Sequence, residues 1–195
     1  MVLLARHGET VWNREGRRQG QLDSPVTAAG ISSIRPLASQ VAEMPVDGVF
    51  SSPLVRAVAT ASIYAEALRL GVEVVDQLRE LDHGAMAGLT NREIEERFPG
   101  ELAHRSRSRY TWRFPGGESY SDADQRAAVA LEIVRGRGVE MPLLVAHEMI
   151  GRMLLRHLLA IDPEDALALS HPHGTVYQVD VARHTLVPLI VDTPS

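Results

Sequence analysis

The sequence has no cysteine among its 195 residues and no lysine, because all 20 of its lysine-plus-arginine residues are arginine. Without a thiol the chain has no cysteine nucleophile, no disulfide and no thiolate metal site. Without lysine it has no Schiff base and no lysine-dependent phosphate loop. Aromatic residues are also scarce, at 5%. These absences remove several classes of covalent catalysis and metal binding from consideration.

Long apolar runs are also missing, and none is sufficient to span a bilayer. The first residues lead directly into an apolar run at residues 2–5, with no basic leader before it. The net charge of −5 argues against a general binder of nucleic acid or acidic membrane. We therefore expect a cytoplasmic protein with neither of these partners, in which a local cationic cluster binds any phosphate ligand.

Short apolar runs alternate with helical patterns along the chain, which indicates an α/β sheet with helices on its faces. No repeat or linker interrupts this pattern, so we expect one domain over residues 1–195. Residues 99–121 show no clear period and are interpreted as an excursion over one end of the sheet, near the active site. The last two predicted strands are close enough to pair. The predicted strands span residues 2–5, 47–51, 72–75, 142–146, 175–181 and 186–191.

Several predicted helices have recognisable capping residues at their ends. Ser52 and Pro53 predict an N-cap and a first-turn proline, and Gly71 predicts the end of the same helix. Thr90 begins a capping box. Pro36 lies inside a further helical pattern, where it costs about 3 kcal/mol unless the helix kinks. The predicted helices span residues 28–44, 53–70, 91–98 and 148–159, and another begins at Asp162-Pro163.

Chemically active side chains follow the carboxyl ends of four predicted strands. These residues are Arg6 and His7 after the first strand, then Arg56, Glu80 and His147 after later ones. In open α/β sheets, ligands bind beyond the carboxyl ends of the strands. Arginine can bind a phosphate through two parallel hydrogen bonds, and a helix N-terminus near Arg56 favours an anion. The sequence therefore predicts a phosphate site with a nucleophile and a proton donor.

These residues predict phosphoryl transfer through histidine. A neutral His7 would attack phosphorus in line and form a phosphohistidine. Arg6, Arg56 and a protonated His147 would stabilise the charge on the equatorial oxygens. Glu80 would protonate the departing alkoxide and then deprotonate the hydrolytic water. Nearby guanidinium groups should lower the pKa of His7 and keep it able to attack.

Together these motifs resemble the histidine phosphatase superfamily, the phosphoglycerate mutase-like enzymes. The resemblance covers nearly the whole chain and implies a three-layer α/β sandwich with a mixed, mostly parallel sheet. It also implies metal-free catalysis without a cofactor, on a small phosphorylated metabolite. The motifs are Leu4-Ala5-Arg6-His7-Gly8-Glu9-Thr10, Ser51-Ser52-Pro53-Leu54-Val55-Arg56-Ala57, Leu78-Arg79-Glu80-Leu81-Asp82-His83-Gly84 and Val145-Ala146-His147.

The same resemblance implies phosphate contacts beside the phosphorylated histidine. Arg6 and Asn13 would line the phosphate pocket, and Gln19 and Gly20 follow at the family's spacing. The glycine that the family usually carries after its second histidine is Glu148 here. The backbone N–H of Glu148 could still bind phosphate, and we expect its carboxylate to point away from the site.

Three other motifs have plainer interpretations. His171-Pro172-His173 has no carboxylate partner at metal-ligand spacing and predicts a turn. Asp122-Ala123-Asp124 predicts acidic residues at a helix N-terminus. Arginines interleave with aromatic residues over residues 105–113, either as a solvated face or to select a substrate with a second acidic group or a sugar.

Three functions are compatible with these residues. The first is a phosphomonoester hydrolase that acts through a phosphohistidine, and the second is a cofactor-dependent phosphoglycerate mutase. The third is a non-catalytic module that binds a phosphorylated ligand. The sequence identifies neither the natural substrate nor the oligomeric state, and a homodimer is left open.

Overall fold

One mixed sheet organises the part of the chain that the computed structural model describes, residues 1–189. Its strands lie in the order β3-β2-β4-β1-β5-β6. The strand predicted at residues 186–191 is observed up to Leu189, and the rest of it lies outside the described residues. The strands are β1 (Val2–Arg6), β2 (Gly48–Ser51), β3 (Val72–Val74), β4 (Pro142–Ala146), β5 (Val176–Asp180) and β6 (Thr185–Leu189).

Four of the strands run parallel, which brings their carboxyl ends to one edge of the sheet. β4 pairs in parallel with both β1 and β2, and β2 pairs in parallel with β3. β5 is antiparallel to β1 and forms a hairpin with β6, so the expected pairing of the last two strands is confirmed. In the β1–β4 register Arg6 lies opposite Ala146, which makes His7 and His147 neighbours.

Helices cover both faces of the sheet, as expected for a three-layer sandwich. Within residues 1–189 they are α1 (Val11–Arg14), α2 (Ala28–Ala42), α3 (Val55–Leu68), α4 (Asn91–Arg97), α5 (Glu101–Arg107), α6 (Tyr120–Arg135), α7 (Glu148–Leu159) and α8 (Pro163–Ala168). Short 3₁₀ turns span Asp76–Leu78 and Gly84–Met86.

The alternation of side chains along the central strands divides the core in two. Leu4 of β1 and Leu144 of β4 are fully buried in a cluster that includes the apolar faces of α6 and α7. Leu3 and Leu143, one residue earlier on each strand, are buried in the opposite cluster with α2 and α3. Each central strand is therefore apolar on both faces, and only the sheet edge remains for polar chemistry.

The start of α3 differs from the prediction. The helix begins at Val55 with Leu54 as its N-cap, so Pro53 is not in its first turn. The backbone N–H groups of Val55 and Arg56 donate instead to the Asp23 carboxylate, at 3.0 and 3.4 Å. The cap therefore comes from a distant loop. The helix also ends two residues before the predicted Leu70, and Arg69 rather than Gly71 takes the left-handed C-cap conformation, with φ of 57°.

The remaining helical predictions agree more closely. Thr90 forms the expected capping box, and the Asp122 region begins α6 with a capping box on Ser119. α2 continues through Pro36 and ends at Ala42, slightly before the predicted end. The excursion over residues 99–121 contains the short helix α5, which its sequence pattern did not reveal.

Candidate active site

His7 lies directly after β1 and is held by its neighbours on both sides. Its backbone N–H donates to the carbonyl of Ala146 on β4 at 3.0 Å. Its Nδ1 lies 2.8 Å from the carbonyl oxygen of Gly8, and the side chain is 3% exposed. Because a carbonyl oxygen only accepts, Nδ1 must carry the proton, and Nε2 of the neutral ring holds the lone pair.

The pKa of His7 lies well below its ordinary value. Burial is the largest cause, and the positive charges of Arg56 and Arg6 lower the pKa further. The sequence predicted a lowered pKa from the guanidinium charges alone, so the direction is confirmed and desolvation is the added cause. The ring is therefore neutral at physiological pH, as a nucleophile requires.

His7 faces a cavity of about 160 Å³ at the carboxyl edge of the sheet. Most of the predicted site residues line it together with His7, namely Arg6, Asn13, Gln19, Gly20, Arg56, Glu80 and Glu148. The ring of His147 lies 5.1 Å from that of His7, centroid to centroid. The structure thus brings all nine predicted residues to one place.

Arg56 is 1% exposed and its guanidinium is fixed by several acceptors. NH1 donates to the carbonyl of Leu22 at 2.7 Å and to Asp23 at 2.9 Å, and NH2 donates to the carbonyl of Gly20 at 2.7 Å. Its buried Nε has no hydrogen-bond partner among residues 1–189. This rigid hold orients the charge before any ligand arrives.

His147 is the N-cap residue of α7 and is fully buried. Burial, then the charge of Arg56, lowers its pKa well below the ordinary value, so the ring is neutral in the ligand-free protein, and a protonated His147 during the reaction stays a prediction. Its Nε2 lies 2.8 Å from Oγ of Ser52, whose oxygen also accepts from the backbone N–H of Leu54. If the Ser52 hydroxyl donates to Nε2, the neutral ring carries its proton on Nδ1 and is still a donor.

Glu80 is held at the N-terminus of α7. Its carboxylate accepts from the backbone N–H groups of Met149 at 3.0 Å and Ile150 at 2.9 Å, and from that of Leu81 at 2.9 Å. The side chain is 7% exposed. The helix start that carries His147 therefore also fixes the carboxyl group, because the first N–H groups of a helix need acceptors.

Glu148 departs from the expectation that its carboxylate points away. One oxygen lies 3.0 Å from NH1 of Arg6, and the other accepts from NH2 of Arg152, one helical turn later, at 2.6 Å. Burial raises the pKa of Glu148, but Arg6 and Arg152 outweigh it and lower the pKa below its ordinary value. The carboxylate therefore stays charged and lies against a guanidinium assigned to phosphate.

The loop after β1 contributes further residues that line the cavity. Asn13 Oδ1 accepts from the backbone N–H and the hydroxyl of Thr10, at 3.0 and 2.8 Å, so only its amide N–H groups are free to bind an anion. Gln19 donates to the same hydroxyl at 2.7 Å. Gly20 has a φ of 55° and passes close to His83, which leaves no room for a side chain. Direct phosphate contacts by Asn13, Gln19 and Gly20 stay predictions.

Two histidines that were interpreted as parts of a turn also lie at this edge. Nδ1 of His173 is 2.9 Å from the carbonyl oxygen of His7, and the two rings are 5.1 Å apart. The carbonyl of His171 accepts from NH1 of Arg6 at 2.8 Å. β5 is antiparallel to β1, so the turn before β5 must lie where β1 ends. That topological signal could have identified both residues.

The described residues contain no group of three or more His, Cys, Asp or Glu side chains arranged to bind a metal ion. Among the helices within residues 1–189, none has the length and apolar character needed to cross a bilayer.

Comparison with known proteins places the chain in a family. The profile of the histidine phosphatase superfamily (branch 1) matches residues 2–191. Phosphoserine phosphatase 1 of Hydrogenobacter thermophilus is 33% identical over 162 residues, which are 83% of this chain and 77% of that protein. The probable phosphoglycerate mutase GpmB of Yersinia enterocolitica is 36% identical over 186 residues, covering 92% of this chain and 84% of that protein.

Solved structures agree with this placement. A mycobacterial glucosyl-3-phosphoglycerate phosphatase in complex with VO₃ superposes with a TM-score of 0.78 at 31% identity, covering 91% of this chain and 92% of that one. The alpha-ribazole phosphatase from Shigella flexneri shares the fold, with a TM-score of 0.83 at 21% identity over 98% of this chain and 96% of that one. The chain belongs to the histidine phosphatase superfamily, as its motifs predicted.

The buried histidines should make folding sensitive to mild acid. Burial is the largest cause that lowers the pKa of each of five histidines, and it brings His83 and His171 to about 3. Unfolded histidines take up protons near pH 6.5, whereas the buried histidines of the folded protein do not. The free energy of unfolding is therefore highest above about pH 6.5 and falls as the pH decreases toward the folded pKa values. Each histidine contributes a slope of up to about 1.4 kcal/mol per pH unit.

Urea unfolding measured at several pH values between about 7 and 5 tests this expectation. His83→Gln, which cannot take up a proton, should reduce the slope by the share of one histidine. A free energy of unfolding that stays constant over this range would show that the histidines are not buried as neutral rings.

Removing the charge of Glu148 should strengthen anion binding. Glu148→Gln keeps the side-chain shape but releases Arg6 from an ion pair, so inorganic phosphate or vanadate should bind about fivefold more tightly, or about 1 kcal/mol. Isothermal titration calorimetry measures this directly. Glu96→Gln, which removes an exposed partner of Arg92 on α4 outside the cavity, is the matched control and should not change the affinity. Weaker binding in Glu148→Gln would mean that Glu148 supports the anion site.

Proposed function

We propose that this protein is a phosphomonoester hydrolase that acts through a phosphohistidine at His7 on a small phosphorylated metabolite. This proposal rests on three buried polar side-chain nitrogens in the same site as His7. Nε of Arg6, Nε of Arg56 and Nδ1 of His147 are buried and have no hydrogen-bond partner within residues 1–189. Buried polar atoms are rarely left unpaired, and a phosphoryl group supplies acceptors for such donors.

The first step transfers the phosphoryl group to the protein. Nε2 of His7 forms a bond to phosphorus while the bond from phosphorus to the ester oxygen breaks. Arg6 and Arg56 stabilise the negative charge on the non-bridging oxygens, and Nδ1–H of His147 donates a further hydrogen bond. Because these groups are held before the ligand binds, little reorganisation accompanies the reaction.

Glu80 is assigned to proton transfer. Among the described residues, two carboxyl groups line the cavity, and Glu148 is engaged by two arginines. Glu80 is held by backbone N–H groups instead, so its carboxyl group is not committed to an ion pair. Its protonated form gives the proton to the leaving alkoxide. The resulting carboxylate then removes a proton from the water that attacks phosphorus, the bond from phosphorus to Nε2 of His7 breaks, and phosphate and the neutral His7 ring are released.

Replacement of His7 tests the nucleophile. His7→Ala should lose covalent labelling by a phosphoryl donor and lower kcat by about 10³-fold or more, because no other group provides the bond to phosphorus. Labelling is followed by mass spectrometry at alkaline pH, and turnover by release of phosphate. His104→Ala, at an exposed position on α5, is the control. Turnover retained by His7→Ala would remove His7 from this role.

A mutase is the second candidate, because one relative carries the name of a probable phosphoglycerate mutase. Hydrolysis and isomerisation differ in whether water reaches the phosphohistidine. With 3-phosphoglycerate and a trace of bisphosphoglycerate, a hydrolase should release phosphate and form little 2-phosphoglycerate. ³¹P NMR distinguishes the products in one sample. Isomerisation without release of phosphate would instead identify a mutase.

A further inference from the structure

Two arginines beside the cavity lack a carboxylate partner. Arg18 lines the same cavity as His7, and its Nε donates to the neutral side-chain oxygen of Asn91 at 3.1 Å. Arg105 on α5 lies over the ring of Phe114, 5.7 Å from its centroid. Within residues 1–189 neither guanidinium forms an ion pair, whereas Arg6, Arg17 and Arg56 at the cavity each do.

Both arginines lie near His83, one of the residues that line the cavity. His83 lines the cavity and stacks on Phe114 with a ring separation of 4.3 Å, and Arg105 lies against that same Phe114 ring. Burial lowers the pKa of Arg105 to about 10, and the charge of Arg18 is the next cause. Arg18 and Arg105 also act together on His83, after burial, in lowering its pKa. The two guanidinium groups therefore repel each other across a partly buried rim.

The other arginines of the excursion are engaged elsewhere. Arg109 donates to the carbonyl of Leu167 at 3.0 Å, and Arg113 pairs with Asp122 at 2.6 Å. Arg107 is exposed on the far end of α5. The segment over residues 105–113 is thus not uniformly a solvated face, because Arg105 lies over the Phe114 ring, which stacks on the cavity residue His83.

Like charges held together in a partly desolvated place are unfavourable unless an anion lies between them. The phosphoryl group of the substrate is already matched by Arg6 and Arg56. From this excess of positive charge we infer that Arg18 and Arg105 form a second anion subsite, which selects phosphomonoesters that carry a carboxylate or another phosphate near the ester. This inference rests on the proposed hydrolase activity and names its substrate class.

Pairs of substrates that differ in the second anionic group test the subsite. Phosphoserine and phosphoethanolamine differ only by a carboxylate, and fructose 1,6-bisphosphate and fructose 6-phosphate differ by a second phosphate. In at least one pair, the native enzyme should have a higher kcat/KM for the substrate that carries the second anionic group. Which pair shows the preference distinguishes the two anions.

Arg18→Met and Arg105→Met keep the apolar stem of each arginine and remove its charge. Each should lower that preference, the ratio of kcat/KM within the pair, by about tenfold or more, mainly through KM. Arg107→Met, on the same helix, should leave the ratio unchanged. Circular dichroism and thermal unfolding establish that each variant is folded.

The outcomes separate this inference from the proposed function. If the native enzyme hydrolyses none of the four esters and also fails with p-nitrophenyl phosphate, the hydrolase assignment fails. If it hydrolyses esters but shows no preference for a second anion, the subsite is refuted while the hydrolase stands. An equal loss on both members of a pair in the variants would likewise refute the subsite, because it indicates a structural role.

Discussion

The parallel pairing of β1 with β4 is the constraint on which the active site depends. It places Arg6 opposite Ala146 and lets the backbone N–H of His7 donate to the Ala146 carbonyl. The residues that follow these strands are His7 and His147, and their ring centroids therefore lie 5.1 Å apart. A slip of one residue in this register would turn the side chains of β1 to the opposite face and separate the two imidazoles. Because these strands are apolar on both faces, their side-chain pattern alone does not exclude such a slip, and the register depends on how the individual side chains pack in the two core clusters.

The N-terminus of α7 performs two tasks at once. Its N-cap residue is His147, and its next N–H groups bind the carboxylate of Glu80. The proposed nucleophile, the second histidine and the proposed proton donor are therefore held together through backbone hydrogen bonds rather than by flexible side-chain contacts. This arrangement explains how a site composed largely of arginine and histidine can be held in place without a metal ligand cluster in the described residues.

The balance of charges at the cavity controls the protonation of its histidines and its affinity for anions. Burial lowers the pKa of His7 and His147, and repulsion by the arginines at the edge of the sheet lowers it further, which keeps the proposed nucleophile neutral. Glu148 offsets part of this charge by its contact with Arg6, and Arg152 shares the carboxylate. A substrate phosphate must compete with that contact. The site thus combines several arginines that favour anion binding with the carboxylate of Glu148, which opposes it. We expect this balance to affect the affinity for phosphate more than the rate of the chemical step.

The sequence by itself determined the fold class, because strand ends, capping boxes and the Arg-His-Gly motif are local patterns. It also predicted nine site residues, some of them through the family resemblance, and the structure brings these nine to one edge of the sheet. It also indicated that His7 would be neutral, since the nearby cations were visible. Only the tertiary structure decided that Asp23 caps α3, that Glu148 turns toward Arg6 and that His173 lies beside His7. Asp23, Arg6 and His173 meet partners far away in the chain, and local periodicity carries no information about such pairings. Burial, which sets the protonation of His147, likewise exists only once the layers have packed.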